Sequence, residues 1–312
     1  MVKTDRPLIK PTSDVFIAMF LSAPKNEPCL RSLINAVLKD KSGRNPIEKA
    51  IVLNPFNMTD YVVDKQIVLD VRVADCSGCA FNIEIQTYPH PAFRERILYG
   101  WSDSYSSQLS IGINFKELRP VITIVITEFA VIPKSQDVHL VFELRERDNH
   151  NLLLSEHIQI HIWQLHEIMK GHDHVLQAVS PDLAHWSQFL AHGGMKSEEE
   201  MATLTENDPK IIEAHREFLR FNSDPQTREL ARRRHLFLVD QYLAQAAFKA
   251  EGREEGLVEG RAEGRAEGFA ESEAKHLADK IEIARKLKSC GLKNESIMEI
   301  TGLSFDQIID LE

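Results

Sequence analysis

Apolar positions along this chain switch between two periods. Residues 14–39 (DVFIAMFLSAPKNEPCLRSLINAVLK) carry them at helical spacing, with an interruption near Pro24 and a restart after Pro28. Thr12, Ser13 or Asp14 can accept hydrogen bonds from the first free N–H groups of that helix. Residues 50–56 (AIVLNPF) are an apolar run that predicts a strand. Over 66–86 (QIVLDVRVADCSGCAFNIEIQ) the period becomes two. Leu69, Val71 and Val73 alternate with Asp70, Arg72 and Ala74, and Phe81, Ile83 and Ile85 alternate with Asn82, Glu84 and Gln86. Two such runs around the turn-like DCSG predict a β-hairpin with one aliphatic and one polar face.

Helical spacing returns over 91–110, where Pro91 suits a first turn and Ile97, Leu98, Trp101, Tyr105 and Leu109 recur. Tyr99 and Tyr105 on this segment read as core residues. Residues 121–129 (VITIVITEF) are apolar throughout, as in a strand covered on both faces. Residues 138–144 and 156–163 alternate and predict two more strands. From about 165 the pattern is helical and polar. Residues 251–268 repeat EGxx, with glycines at 252, 256, 260, 264 and 268, as a linker or a helix, and 271–290 reads as helix. Asn294 and Ser304 start two short helical segments, the second with capping-box spacing to Gln307. The expected fold is α/β: a mixed central sheet flanked by helices, followed by a helical C-terminal region.

Composition narrows the picture. The chain has 312 residues, 43% of them hydrophobic, enough for a sizeable core and about two domains. Its net charge is −10, which supplies no global basic footprint for nucleic acid. The acid is unevenly placed: 198–208 holds five acids and no base, and 251–268 holds six Glu against three Arg. Four cysteines are too few for a disulfide scaffold. The first residues show no apolar leader, and no window of about 18 apolar residues suggests a membrane span. These features lead to the expectation of a cytoplasmic protein with no membrane partner.

The polar face of the hairpin carries the candidate chemistry. With the loop centred on Ser77, Asp70 lies opposite Glu84; with the loop centred on Gly78, Asp70 faces Gln86. Directly paired Cβ atoms sit about 5 Å apart. Two carboxylates that close repel unless neutralised, and a hard divalent cation with oxygen ligands does this. A solvated hairpin with ordinary surface charges produces the same alternation, so spacing alone leaves both readings open.

The run from Asp70 to Gln86, D-V-R-V-x-D-x-x-G-x-x-x-N-I-E-I-Q, resembles the core of the Rpn family, the recombination-promoting nucleases and transposases of the PD-(D/E)XK superfamily. Three further pieces resemble that family in order: Asp14 to Phe20; Arg94, Tyr99, Tyr105, Gln108 and Gly112; and Leu118 to Val125. The resemblance covers roughly 10–170. It implies a restriction-endonuclease-like sheet and hydrolysis of DNA phosphodiesters with Mg²⁺ or Mn²⁺. Asp70, Glu84 and the main-chain carbonyl of Ile85 would hold the metal. Gln86 would orient a water, because its amide cannot act as a base or supply charge. Asp14 would add an acidic ligand through water, or simply cap its helix. Ile17 and Ala18 stand where the family usually carries Phe-Lys, which implies weaker phosphate contact. Arg94, and Arg72 beside Asp70, could meet a phosphate, since a guanidinium matches it in a bidentate fork.

The domain expectation is a nuclease-like domain at 1–190, a helical region at 191–250, an EGxx linker or helix at 251–270 and a small helix-turn-helix-like segment at 271–312. The expected partners are DNA and a second copy of the chain, joined through the EGxx tail. The competing readings are a non-catalytic DNA- or protein-binding descendant and a nuclease of RNA.

Other groups carry less. Cys76-Ser-Gly-Cys79 lacks the second pair that a structural zinc needs. His157, His161, His166, His172 and His174 form a loose cluster without an HExxH motif. Arg228, Arg232, Arg233 and Arg234 are the one concentrated basic stretch, read as a solvated helix face or as DNA backbone contacts.

Overall fold

The structure is a computed structural model that describes residues 9–56, 71–109, 114–133 and 135–311. The first helices are α1 (Asp14–Ser22) and α2 (Glu27–Val37), separated by a single turn at Pro24–Asn26. Pro28 sits in the first turn of α2, where its missing N–H has no intrahelical partner to lose. The strands are β1 (Ile51–Val52), β2 (Val71–Ala74), β3 (Ala80–Gln86), β4 (Val121–Thr127), β5 (His139–Phe142) and β6 (Ile158–Gln164). Helix α3 (Phe93–Ser106) links β3 to β4. The short α4 (His166–Met169), then α5 (Pro181–His192), α6 (Glu198–Leu204) and α7 (Pro209–Ser223) follow the sheet. The chain ends in α8 (Pro225–Ser289), α9 (Asn294–Thr301) and α10 (Phe305–Ile309).

The sheet order is β1-β2-β3-β4-β6-β5. β3, β4 and β6 run parallel, while β1–β2, β2–β3 and β5–β6 pair antiparallel, so the sheet is mixed as expected. Parallel strands need a crossover, and α3 supplies the one between β3 and β4. The run at 50–56 yields only the two residues of β1, with one further hydrogen bond from Leu53 to Arg72 before Pro55, which has no N–H to donate.

Both faces of the sheet are covered. On one, Phe81, Ile83 and Ile85 of β3, Ile122, Ile124 and Ile126 of β4 and Trp163 of β6 join α1, α2, α5 and α7 in the main core. Phe16 is its aromatic hub, packed on Phe20, Phe189, Phe218 and Phe221. On the other, Val125, Ile158, Ile160 and Ile162 meet Phe93 and Ile97 of α3. Every residue of β4 is buried, which explains its unbroken apolar run.

Residues 1–242 form one compact unit and 243–312 a second. In the second, Ala284 of α8 packs with Ile297, Leu303, Ile308 and Leu311 in a small core of its own. The EGxx glycines lie inside helix α8, and a Cβ added at any of them would meet nothing within 4 Å.

The hairpin turn shows how local chemistry sets up the strands on either side. The Asp75 carboxylate accepts from the Ser77 N–H at 2.8 Å, the Ser77 hydroxyl at 2.7 Å and the Cys79 N–H at 3.0 Å. Gly78 adopts φ +84°, a left-handed conformation that glycine reaches without a Cβ clash. Asp75→Ala is expected to lower stability by about 1–2 kcal/mol, because three donors lose one shared acceptor. A urea melt measures this; an unchanged midpoint would show that the turn holds without the carboxylate.

Candidate active site

β2 and β3 pair with Val71 opposite Ile83, Arg72 opposite Asn82 and Val73 opposite Phe81. This is the register centred on Ser77. Val71, Val73, Phe81, Ile83 and Ile85 enter the main core. Asn82, Glu84 and Gln86 therefore line the other face of β3, the face that α3 covers. Asn82 donates to the Ser104 hydroxyl of α3 at 2.8 Å. Arg72 is exposed, and its main-chain N–H donates to the Asn54 side chain at 2.7 Å. Asp70 lies outside the described residues, as do residues 57–69.

Glu84 and Gln86 converge on one cation. A single guanidinium nitrogen of Arg96 donates to Glu84 Oε1 and, at 3.0 Å, to Gln86 Oε1. Glu84 is 15% exposed and Arg96 45%. The guanidinium also rests over the Phe93 ring, 5.2 Å from its centroid. The other end of the Gln86 amide donates to the Tyr88 carbonyl at 3.2 Å. Ile85 pairs with Ile126 of β4 and buries its side chain in the core.

Arg94 is exposed on α3 and makes no side-chain hydrogen bond or ion pair among the described residues. Arg96, which the sequence did not single out, is the cation that meets Glu84 and Gln86. Both arginines flank the buried Phe93–Ile97 stripe of α3, on opposite sides. The spacing marks two candidate flanks, and only packing shows which one faces β3. Tyr99 is a correction: it is 73% exposed, not core, because it lies away from the stripe that meets the sheet. Tyr105 stacks on Trp101 at 5.1 Å, and its hydroxyl meets His157 at 2.9 Å.

Asp14 does not join Glu84 on a shared partner. Its Oδ1 accepts from the Val15 N–H at 2.9 Å, and its Oδ2 pairs with Arg234 at 2.8 Å in a poorly exposed ion pair. Among the described residues, no group of three His, Cys, Asp or Glu side chains is placed to hold a metal ion. The donor set that is described nevertheless suits a hard cation. A carboxylate oxygen and an amide oxygen already close on one positive charge, the Arg96 guanidinium.

The basic stretch divides. Arg232 and Arg233 pair with Glu229 on their own helix, Arg234 pairs with Asp14, and Arg228 makes no ion pair among the described residues. Cys76 is exposed, while burial pushes the Cys79 thiol up to about 12, so it stays protonated.

The histidines disperse instead of forming a site. His166 and His172 both meet Glu167. His161 lies in a buried relay, with its Nδ1 2.9 Å from His139 Nε2, while His139 Nδ1 meets Asp40 at 2.6 Å. The far end of the relay settles the proton pattern. Gln159 donates to the Ser42 carbonyl and to Glu143, so its oxygen accepts from Arg44 and, at 3.4 Å, from His161 Nε2–H. His161 Nδ1 then accepts from His139 Nε2–H, and His139 Nδ1 faces the Asp40 carboxylate.

A mixed sheet, six-stranded among the described residues, with helices on both faces is the restriction-endonuclease-like architecture of PD-(D/E)XK nucleases, and here a long helical region follows it. The family of PD-(D/E)XK nuclease family transposases matches residues 11–247, and this chain belongs to that family. No curated protein and no solved structure matches the chain. Among the described residues, no helix is long and apolar enough to cross a membrane.

Proposed function

We propose that this protein is a Mg²⁺-dependent DNA endonuclease of the cytoplasm, acting in recombination or transposition. The observation that carries the reading is the convergence of Glu84 and Gln86 on one positive charge, on the face of β3 away from the main core. If the Ser77-centred pairing of Val71 with Ile83 continued by one residue, Asp70 would lie against Glu84. Asp70, Glu84 and the Ile85 carbonyl would then hold the ion, as the family resemblance implies. When bound, the metal supplies Lewis-acid activation of a water and neutralises charge developing on the phosphate.

The chain's own residues do the rest. Glu84 is held at the sheet surface by β3, which is paired on both sides, so its position is set by strand geometry rather than by a loop. Gln86 offers an amide to orient the attacking water but takes no proton. Arg96 would serve as the phosphate ligand: it meets Glu84 and Gln86, and a guanidinium neutralises a phosphate in a bidentate fork. Asp14 lies at the start of α1 with Arg234 as its counter-charge, in a supporting role. Self-association through the EGxx part of α8 belongs to the same proposal, since a Cβ at any of those glycines would meet nothing within 4 Å among the described residues.

Supercoiled plasmid incubated with the purified protein should be nicked with Mg²⁺ and spared with EDTA, and Asp70→Ala should abolish the nicking. Cleavage that persists in Asp70→Ala would move the site elsewhere. DNA retention in a gel without any cleavage would favour a non-catalytic descendant, and cleavage of single-stranded RNA alone would make RNA the substrate.

A further inference from the structure

A cavity of about 830 Å³ opens next to the candidate active site, within the size range of small-molecule sites. Tyr88, two residues past Gln86, and Glu128, whose N–H donates to the Gln86 carbonyl at 3.2 Å, both line it. Ile9, Pro225 and Leu238 provide apolar wall, and Arg228 is also in the lining. Tyr88 is braced at the rim, with its ring 5.5 Å from Tyr242 and 6.0 Å from His235.

The charges of the cavity leave one group without a partner. Three carboxylates line it, and each is already matched. Asp14 pairs with Arg234 at 2.8 Å, and Glu128 with Lys10 at 2.7 Å and with the Thr12 hydroxyl. Glu229 pairs with Arg232 and Arg233, each at 2.9 Å. Arg228 alone among the lining cations makes no ion pair among the described residues. The first turns of α1 and α8 also border the space, and helix N-termini favour anions. The complementary ligand has a flat aromatic body and one negative charge.

We propose that this cavity holds an unpaired nucleotide of the DNA strand, with its base against Tyr88 and its phosphate on Arg228. The inference rests on the DNA-nuclease reading, because it places that nucleotide beside the phosphate presented to Glu84. A base still stacked in a duplex cannot enter, so the site selects strands that are frayed, single-stranded or opened by flipping. Base–aromatic stacking tolerates every sequence, since each base has a π-face, so the pocket selects strand structure rather than sequence.

The test is fluorescence anisotropy of a 5′-phosphorylated single-stranded oligodeoxynucleotide with the full-length protein in EDTA, where cleavage plays no part. Tyr88→Ala should weaken binding about tenfold, in the range of a lost base–aromatic stack, and Arg228→Ala by about as much, through loss of a charge-assisted phosphate contact. Tyr88→Phe, which keeps the ring and loses the hydroxyl, should bind within about twofold of wild type. Arg145→Ala serves as the control, since that guanidinium is engaged with Glu143 and the His150 carbonyl. The proposal is overturned if the wild-type chain shows no saturable binding, if Arg228→Ala weakens binding no more than Arg145→Ala, or if Tyr88→Phe loses as much as Tyr88→Ala. The plasmid assay stands apart: absent cleavage with this binding pattern intact would sink the nuclease reading alone, and cleavage without the pattern would sink only the pocket.

Discussion

Glu84→Gln is expected to slow Mg²⁺-dependent plasmid nicking by about 10³-fold while leaving the protein folded. The substitution keeps side-chain length and one oxygen that can accept from Arg96, and removes only the negative charge. A metal-holding carboxylate stabilises charge in a partly desolvated place, where the loss of one such group has effects of about 10²–10³-fold or more. The accompanying stability change should stay within about 1 kcal/mol, because the Glu84–Arg96 pair is partly solvated and pairs of that kind contribute little. Nicking rates from a time course, read beside a thermal melt, separate the two effects. A variant that melts at the wild-type temperature and still nicks at a tenth of the wild-type rate or better would remove Glu84 from the machinery.

The second large effect is a loss of stability in acid, traced to His161. This imidazole is fully buried in the relay between His139 and Gln159. Burial, and then the charges of His139 and Arg44, push its pKa down from 6.5 to about 3, against a smaller opposing pull from Asp40. In the unfolded chain the same group titrates near 6.5. Between those values the unfolded state takes up a proton that the folded state refuses, so stability falls as pH drops below about 6.5 and flattens near 3. One proton corresponds to a slope of about 1.4 kcal/mol per pH unit, or roughly 2–3 kcal/mol between pH 6 and 4. Asp40 adds to the loss at lower pH. Burial raises its carboxyl, but hydrogen bonds from His139 and the Ser180 N–H outweigh this and leave it below its ordinary value. Urea melts from pH 7 to 4 on the wild type and His161→Gln give the comparison. The variant's dependence on pH should be shallower by about one proton, and parallel curves would show that His161 titrates freely.

Much of this architecture was legible in the alternation of side chains. The two period-2 runs of the hairpin placed Val71, Val73, Phe81, Ile83 and Ile85 on one face before any packing was known, because a strand turns alternate residues to opposite sides. The unbroken apolar run at 121–127 announced a strand covered on both faces, and the restart at Pro28 announced α2. The motif spacing also named the family, and the family match extends past residue 170, where the resemblance ends, to residue 247.

Periodicity says which residues share a face but not what lies opposite. Tyr99 satisfied a helical pattern and is exposed, because the Phe93–Ile97 stripe alone meets the sheet. Arg96 rather than Arg94 reaches Glu84, a choice between two flanks of one helix that depends on how α3 lies across β3. The histidines looked like a cluster along the chain, yet His161 finds His139 through the β5–β6 pairing, and His139 in turn meets Asp40 in the turn after α2.

The sequence by itself determined the elements, the two faces of the hairpin and the acidic motif, because backbone sterics and side-chain alternation act over a few residues. Only the tertiary structure decided the counter-charges: Arg96 on Glu84, Arg234 on Asp14, and Arg228, without an ion pair among the described residues, lining the same cavity as Tyr88. Those pairings join positions up to 220 residues apart. Coulombic contact depends on distance in space, and local pattern holds no measure of it.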